Sequence, residues 1–434
     1  MLVSKDNGET VSKRSRFGNT LSLVAKVIGG NVASNLISMV SSILIARWVR
    51  PYDMGVWNAA LLVTLYTPTL QLGIFNGLNR ELPYLVGAGD KNSAVRMAEA
   101  ASAWCWVLIV VSIVAGLFTA AWFWLTGQTD RCYTSIAIAV VIISSWPTLY
   151  LTTTYRTRNE FGRLAKNTVV VSLLGAVLVL CVWKFNYHGL ILRAALVGIL
   201  GALALYYRRP LPVKPRWGLR ELVQLAKIGI PIWLVGQLAA FFMSLDRLML
   251  VNSTEVLGYF TIAIQMAAFV RQIPTAFGMV LYPQMAQQYG QNRCAMDIWR
   301  LSRKGAFAAA ALGLVAGAAG WILLPPFVRL VLPKYLPGVR AAQWSGFIGF
   351  AMGFYLFDSP YNIIKRQDLY FVNWCIGCSA FVAIWFGLTR FLHVSLAVAS
   401  SQSMIVATLI MCGTSAYIGR RACLNHDLRL QSAS

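Results

Sequence analysis

The run from Ala226 to Leu250 reads A-K-I-G-I-P-I-W-L-V-G-Q-L-A-A-F-F-M-S-L-D-R-L-M-L, and after the loop V-N-S-T-E-V-L-G-Y-F (251–260) a second apolar run closes at L-Y-P-Q-M-A-Q-Q-Y-G-Q-N-R (281–293). These are two membrane-length apolar segments joined by an acidic-then-Gly-aromatic turn. The same pattern occurs earlier in the chain. A-K-V-I-G-G (25–30) opens an apolar run that carries Arg47 near its end. The turn Asp53-Met54-Gly55-Val56-Trp57 follows, and a second run reaches Glu81-Leu82-Pro83 and then Gly89-Asp90-Lys91. At an offset of roughly two hundred residues, Lys26 pairs with Lys227, Arg47 with Arg247, Gly55 with Gly258 and Pro83 with Pro283. A repeat of this size predicts two similar halves, and in a membrane protein a transporter with its site at the repeat interface.

Composition settles the class. The chain has 434 residues, 58% of them hydrophobic and only 12% charged. A soluble domain carries about 25% charged residues, and a soluble protein with this composition would expose apolar surface it could not cover. The apolar residues also fall in blocks long enough to span a bilayer, which takes about 20 residues each. About twelve such blocks are expected.

The net charge of +23 does not point to nucleic acid, because the 38 Lys and Arg lie between apolar blocks with no basic domain among them. Most fall at the tails and at the even-numbered connections. That bias predicts both termini in the cytoplasm. The eight cysteines are scattered, mostly inside apolar runs. Cys375-x-x-Cys378 lies within a membrane segment, where two small polarizable residues packing on one helix face is the simpler reading than a redox or metal pair. The polar, basic first 20 residues and the long first apolar block do not read as a signal peptide.

The expected architecture is an all-α polytopic membrane protein of twelve helices. A cytoplasmic tail (1–20) leads to an N-terminal six-helix bundle (21–207). The basic, Pro-rich connector R-R-P-L-P-V-K-P-R-W-G-L-R begins at Arg208, and residues 208–219 divide the halves. A C-terminal six-helix bundle (220–418) and a cytoplasmic tail (419–434) complete the chain. Six spans per half is an even number, so the repeat is parallel. The fourth span of each half closes in related fashion, Tyr150 to Tyr155 in one and Tyr355 to Tyr361 in the other.

The order and spacing of these motifs resemble the polysaccharide exporters, the lipid-linked oligosaccharide flippases of the multidrug/oligosaccharidyl-lipid/polysaccharide (MOP) exporter superfamily. The resemblance covers about residues 20 to 418. It rests on G-I-P (229–231), Asp246-Arg247, Gly258-Tyr259 and L-Y-P-Q-M-A (281–286), with G-V-W (55–57) and G-L-N-R-E-L-P (77–83) in the first half. It implies a fold like that of multidrug and toxin extrusion (MATE) transporters. It also implies a bacterial cytoplasmic-membrane location and movement of a polyprenyl-diphosphate-linked sugar from the cytoplasmic to the outer leaflet, two bundles rocking about a central cavity. The implied partners are membrane lipid, the lipid-linked sugar, and the polymerase and glycosyltransferases of the same pathway. The protein is expected to be a monomer, without nucleic acid, cofactor or enzymatic activity. Its drive would be a proton or sodium gradient.

Cations inside a membrane segment are costly and therefore candidates for function. Arg271 lies about midway along the eighth span, and its counterpart in the first half is Gln71. Arg80, Lys26 and Lys227 are further candidates to contact a diphosphate. Against this stand an interfacial ion pair with Glu81 for Arg80, and snorkelling to the interface for the two lysines. Arg193 and Arg247 lie near outer ends, where anchoring is the default. Asn31, Asn35, Gln71 and Asn76 are the candidate polar lining of the cavity, since a polar stripe facing lipid would be unfavourable. Asp358 and Asp246 are the candidates for ion coupling. For Asp358 a polar cap over a kink at Pro360 is the competing reading, and for Asp246 an interfacial charge that does not face Arg247.

Two other classes remain. A cation-exchanging drug exporter usually needs a membrane carboxylate, which the first span lacks. A membrane polymerase or ligase needs a catalytic acid or base on a sizeable outer loop. The outer loops hold only isolated groups such as His188, His393, Asp130 and Glu255.

Overall fold

The computed structural model describes residues 33–158, 160–364 and 366–433. Among them every regular element is helical. The helix over 33–48 (α1) precedes α2 (Pro51–Tyr66) and α3 (Ile74–Gly87). Next come α4 (Lys91–Leu125), α5 (Thr129–Thr157), α6 (Phe161–Val177), α7 (Val179–Tyr207) and α8 (Leu219–Phe242). Four shorter helices follow, α9 (Leu245–Leu248), α10 (Thr254–Tyr259), α11 (Thr261–Val270) and α12 (Gln272–Asn292). The chain ends with α13 (Ala295–Val331), α14 (Val339–Ser345), α15 (Ile348–Gly353), α16 (Ser359–Ile363), α17 (Gln367–Arg390) and α18 (Leu396–Ala433).

Among the described residues eight helical segments are long and apolar enough to cross a membrane, and the bent pair Pro51–Gln71 with Ile74–Gly87 makes nine. The other three expected spans have separate explanations. Part of the first lies outside the described residues. The fifth is α6 plus the start of α7, where Asn186 takes a positive φ of 49° and turns the chain into the sixth span. Gly189 closes that turn, since a Cβ there would lie 2.1 Å from the Cys181 carbonyl oxygen. The tenth breaks into α14, α15, a 3-10 turn and α16. Gly346, Gly349 and Gly353 punctuate that stretch, and a Cβ on Gly349 would lie 2.9 Å from the Val270 Cβ and one on Gly353 2.4 Å from the Ala310 backbone nitrogen.

Large apolar side chains cover the outside, as expected of a surface solvated by lipid. Leu125 is 83% exposed and Phe118 71%. Cys375 and Cys378 are both free and half-buried on α17, and the other six cysteines are also free.

The chain gathers into two compact units. One holds the described residues up to Trp48 together with Thr67–Trp233, and the other holds Val49–Tyr66 together with residues 234 onward. The dividing points thus fall at the end of the expected first span and inside the second and seventh. The first unit is built around aromatic residues of α5. Trp146, Tyr150 and Tyr155 pack with Phe75 and Leu78 of α3, Ala98 and Leu108 of α4, and Leu222 and Leu225 of α8. Each of these rings needs a partner for its polar atom when buried. Trp146 Nε1 donates to Ser112 Oγ at 2.9 Å, and Tyr155 donates to the carbonyls of Leu205 and Arg208. The second unit centres on Phe242, Trp374 and Phe381, with Met404 and Met411 of α18 filling between them.

Candidate functional site

In the first unit, α3 and α8 cross where side chains are missing. Gly73 has φ 76°, and a Cβ on it would lie 2.6 Å from the Gly229 carbonyl carbon. A Cβ on Gly77 would lie 2.1 Å from the Leu225 carbonyl oxygen. Small residues four apart permit this backbone-to-backbone approach. Trp233 Nε1 also donates to the Pro68 carbonyl at 3.1 Å. The antiparallel register puts residue 80 near residue 222 and Lys227 near residue 75, so Arg80 and Lys227 differ by about 8 Å along the axis at 1.5 Å per residue. Both side chains are exposed, and Asn76 between them is half-buried. Gln71 sits one turn above the crossing, 6% exposed, and its Oε1 is buried with no hydrogen bond among the described residues. Asn35, on α1, is exposed. Lys26 and Asn31 lie outside the described residues.

In the second unit, α8 ends at Phe242 and the chain bends into the four-residue α9. Asp246, 7% exposed, accepts from the Arg247 backbone N–H at 2.8 Å. The Arg247 guanidinium turns back to the same carboxylate, 3.6 Å away, and to the Met243 carbonyl at 3.1 Å. The two residues were expected to face apart as helix neighbours. They meet because α9 is a single turn and both side chains fold onto its start.

Arg271 sits at the joint between α11 and α12. Its charged and titratable neighbours are Asp246, Tyr355 and Arg247. Its Nε is buried without a hydrogen-bond partner, as is the hydroxyl of Tyr355. The Gln237 Oε1, on α8, is a third such atom in this unit. Buried polar groups are nearly always paired, yet among the described residues six side-chain atoms of this unit are not, the other three being on Trp374, Ser403 and His426.

Asp358 is differently placed. It is 5% exposed and lies in a set of polar side chains between α16, α17 and α18. Its Oδ1 accepts from Ser415 Oγ and, at 3.2 Å, from Asn373 Nδ2. Thr414 donates to Asn373 Oδ1 at 2.8 Å, and Tyr361 donates to the Ser415 carbonyl at 2.9 Å. Tyr355 has both Asp358 and Arg271 among its neighbours, so it links the two regions. Asn373, Ser415 and Gln237 are uncharged polar residues in apolar runs, which carry no signal of a site until the helices are packed. Tyr355, at the start of the Tyr355–Tyr361 motif, gains its place beside Asp358 and Arg271 only in the folded chain.

Arg193, expected to anchor at an outer end, instead donates to the Gly175 carbonyl at 2.7 Å within its own unit. Among the described residues no group of three or more His, Cys, Asp or Glu could hold a metal ion.

A family of polysaccharide biosynthesis proteins matches residues 90–302. Solved structures extend the match to almost the whole chain. An inward-facing multidrug resistance MATE family transporter of the MOP superfamily superposes with a TM-score of 0.72 at 13% identity, covering 91% of this chain and 95% of that one. The fold is that of the MATE transporters. A MOP transporter from Pyrococcus furiosus gives a TM-score of 0.63 at 13% identity, over 93% of this chain and 96% of that chain. An outward-facing MATE transporter gives 0.60 at 13% identity, over 94% and 96%. No curated protein sequence matches the chain. By its long apolar helices the chain is a multi-pass membrane protein.

Proposed function

We propose that this protein is a flippase for a polyprenyl-diphosphate-linked oligosaccharide, carrying it from the cytoplasmic to the outer leaflet of a bacterial cytoplasmic membrane by ion-coupled alternating access. One contrast carries the reading. The membrane carboxylates are occupied, Asp246 by Arg247 and Asp358 by Ser415 and Asn373, whereas the buried Arg271 Nε has no partner among the described residues. A half-buried guanidinium whose Nε–H has no partner suits a diphosphate, which accepts several charge-assisted hydrogen bonds. A site for a cationic drug would leave its carboxylates free instead. The match to polysaccharide biosynthesis proteins points the same way. The Pyrococcus furiosus transporter, described as having a binding pocket of reverse polarity that suggests a different function, is a precedent for one MOP fold serving another kind of cargo. Arg80, Lys227, Gln71 and Asn76 would then line the path of the head group, with Lys26, Asn31 and Asn35 of the first span.

Asp358 is the proposed coupling group, because a buried carboxylate held by hydroxyl and amide donors can exchange a proton or a sodium ion. It also supports a second reading, a cation-exchanging drug antiporter, since the structural relatives include multidrug transporters. Reconstitution separates the readings. The pure protein in liposomes is given a fluorescent polyprenyl-diphosphate sugar, and access to an impermeant quencher is followed with and without a proton or sodium gradient. Gradient-dependent movement of intact lipid is the expected result. Expulsion of a cationic dye without lipid movement would establish the antiporter instead. Lengthening of the sugar chain would make the protein an enzyme.

A further inference from the structure

α13 carries a basic cytoplasm-like end at Arg300, Arg303 and Lys304 and then an apolar stretch from Gly305 to Val328, about 36 Å at 1.5 Å per residue. Trp321 stands about 24 Å along it, in the leaflet on the Arg329 side. There α13, α14 and Phe347 just beyond α14 line an open slot of about 360 Å³, with Ala318, Trp321, Ile322 and Trp344 as its other walls. Its walls are fixed. Trp321 and Trp344 meet edge to face with ring centroids 5.4 Å apart, and Phe347 lies 5.9 Å from Trp321. Gln343 Nε2 donates to the Trp321 carbonyl at 2.7 Å, tying α14 to α13. Gly317 admits the approach, for a Cβ there would lie 2.9 Å from the Phe347 ring. The mouth faces lipid, since Ile322 is 70% exposed and its neighbour Leu323 64%.

The charge at the mouth is of one sign. The Arg340 guanidinium lies over the Trp321 ring, 5.0 Å from its centroid. Ala318, Ile322 and Arg329 fall on one helix face, with Arg329 about two turns beyond Ile322. Both arginines are exposed, and neither makes a hydrogen bond or ion pair among the described residues. The chain contains no Asp or Glu between Asp297 and Asp358. A guanidinium held over a ring without a hydrogen bond retains N–H donors for a phosphate.

We propose that this slot binds an anionic phospholipid of the leaflet on the Arg329 side, with one acyl chain against Trp321, Trp344 and Phe347 and the phosphate held by Arg340 and Arg329. The site is independent of the cargo and involves none of the residues assigned to it. Native mass spectrometry of the delipidated full-length protein, titrated with phosphatidylglycerol or with phosphatidylcholine of the same chains, tests it. The wild type is expected to bind one phosphatidylglycerol at least tenfold more tightly than phosphatidylcholine. Arg340→Ala should remove that preference. Ala318→Phe, which fills the slot from an exposed position, should remove the tight site while both arginines remain. Equal binding of the two lipids by the wild type would overturn the proposal, as would unchanged phosphatidylglycerol affinity in either variant. Melting temperatures near wild type in both variants establish that the loss is local.

Discussion

At the scale of single residues, charge placement separates the reacting groups from the structural ones. Arg271 is half-buried near Asp246, Tyr355 and Arg247, and its buried Nε–H has no hydrogen-bond partner among the described residues. Arg271→Glu should abolish transbilayer movement of the lipid-linked sugar while the protein still folds, and Arg271→Lys should retain part of it, because a lysine keeps the charge but loses the planar donor array. Transport with Arg271→Glu at the wild-type rate would remove this residue from the path. Asp358 tests the coupling reading. Asp358→Asn keeps the shape and most of the hydrogen bonds to Ser415 and Asn373, so the fold should persist while gradient dependence of transport disappears. Gradient-driven transport in that variant would assign coupling to another group. The Cys375–Cys378 pair, free on one helix, shows how a suggestive spacing yields to its surroundings.

At the scale of elements, two contacts hold helices in register. Gly55 of α2 and Gly258 of α10 cross with no room for side chains. A Cβ on Gly55 would lie 1.9 Å from the Thr254 carbonyl oxygen, and one on Gly258 would lie 1.9 Å from that of Pro51. One turn on, Asn58 Nδ2 donates to Thr261 Oγ1 at 2.8 Å. Gly55→Ala or Gly258→Ala should therefore destabilise the protein by about 1–3 kcal/mol or more, the usual cost of overpacking, as measured by loss of the melting temperature in detergent. A neutral effect would show that the crossing is loose. The second contact is a cap supplied in trans. The Asp427 carboxylate, on α18, accepts from the backbone N–H groups of Ala295 at 2.7 Å and Met296 at 2.9 Å, at the start of α13. Asp427→Ala should cost about 1 kcal/mol, the typical loss of an N-cap, and speed hydrogen exchange at 295–298 before the rest of α13.

At the scale of the molecule, the repeat read from the sequence returns in a physical form. Gly55 meets Thr254 while Gly258 meets Pro51, and Asn58 meets Thr261. Each position contacts the mate of its partner, which is the signature of a two-fold relation. A double variant bulky at both glycines should cost less than the sum of the singles, since the two share one contact that the first side chain already parts. The measurement is a double-mutant cycle on thermal stability, and strict additivity would argue that the two sites are independent.

The sequence by itself determined the membrane class, the helical fold and the repeat, because span length, apolar blocks and turn glycines are local properties that each segment carries alone. It also singled out Arg271 and Asp358, since a charge in an apolar block is conspicuous wherever the block lies. Only the tertiary structure decided which charges are satisfied. Asp246 turned out to be paired with Arg247 because the chain breaks after Phe242, and Asp358 is held by Asn373 and Ser415 from helices distant in sequence. It likewise decided that the tenth span is a series of short helices and that Trp321, Arg340 and Trp344 share one lipid-facing slot. Hydrogen-bond satisfaction and cavity shape depend on groups brought together from separate segments, and no single segment encodes that meeting.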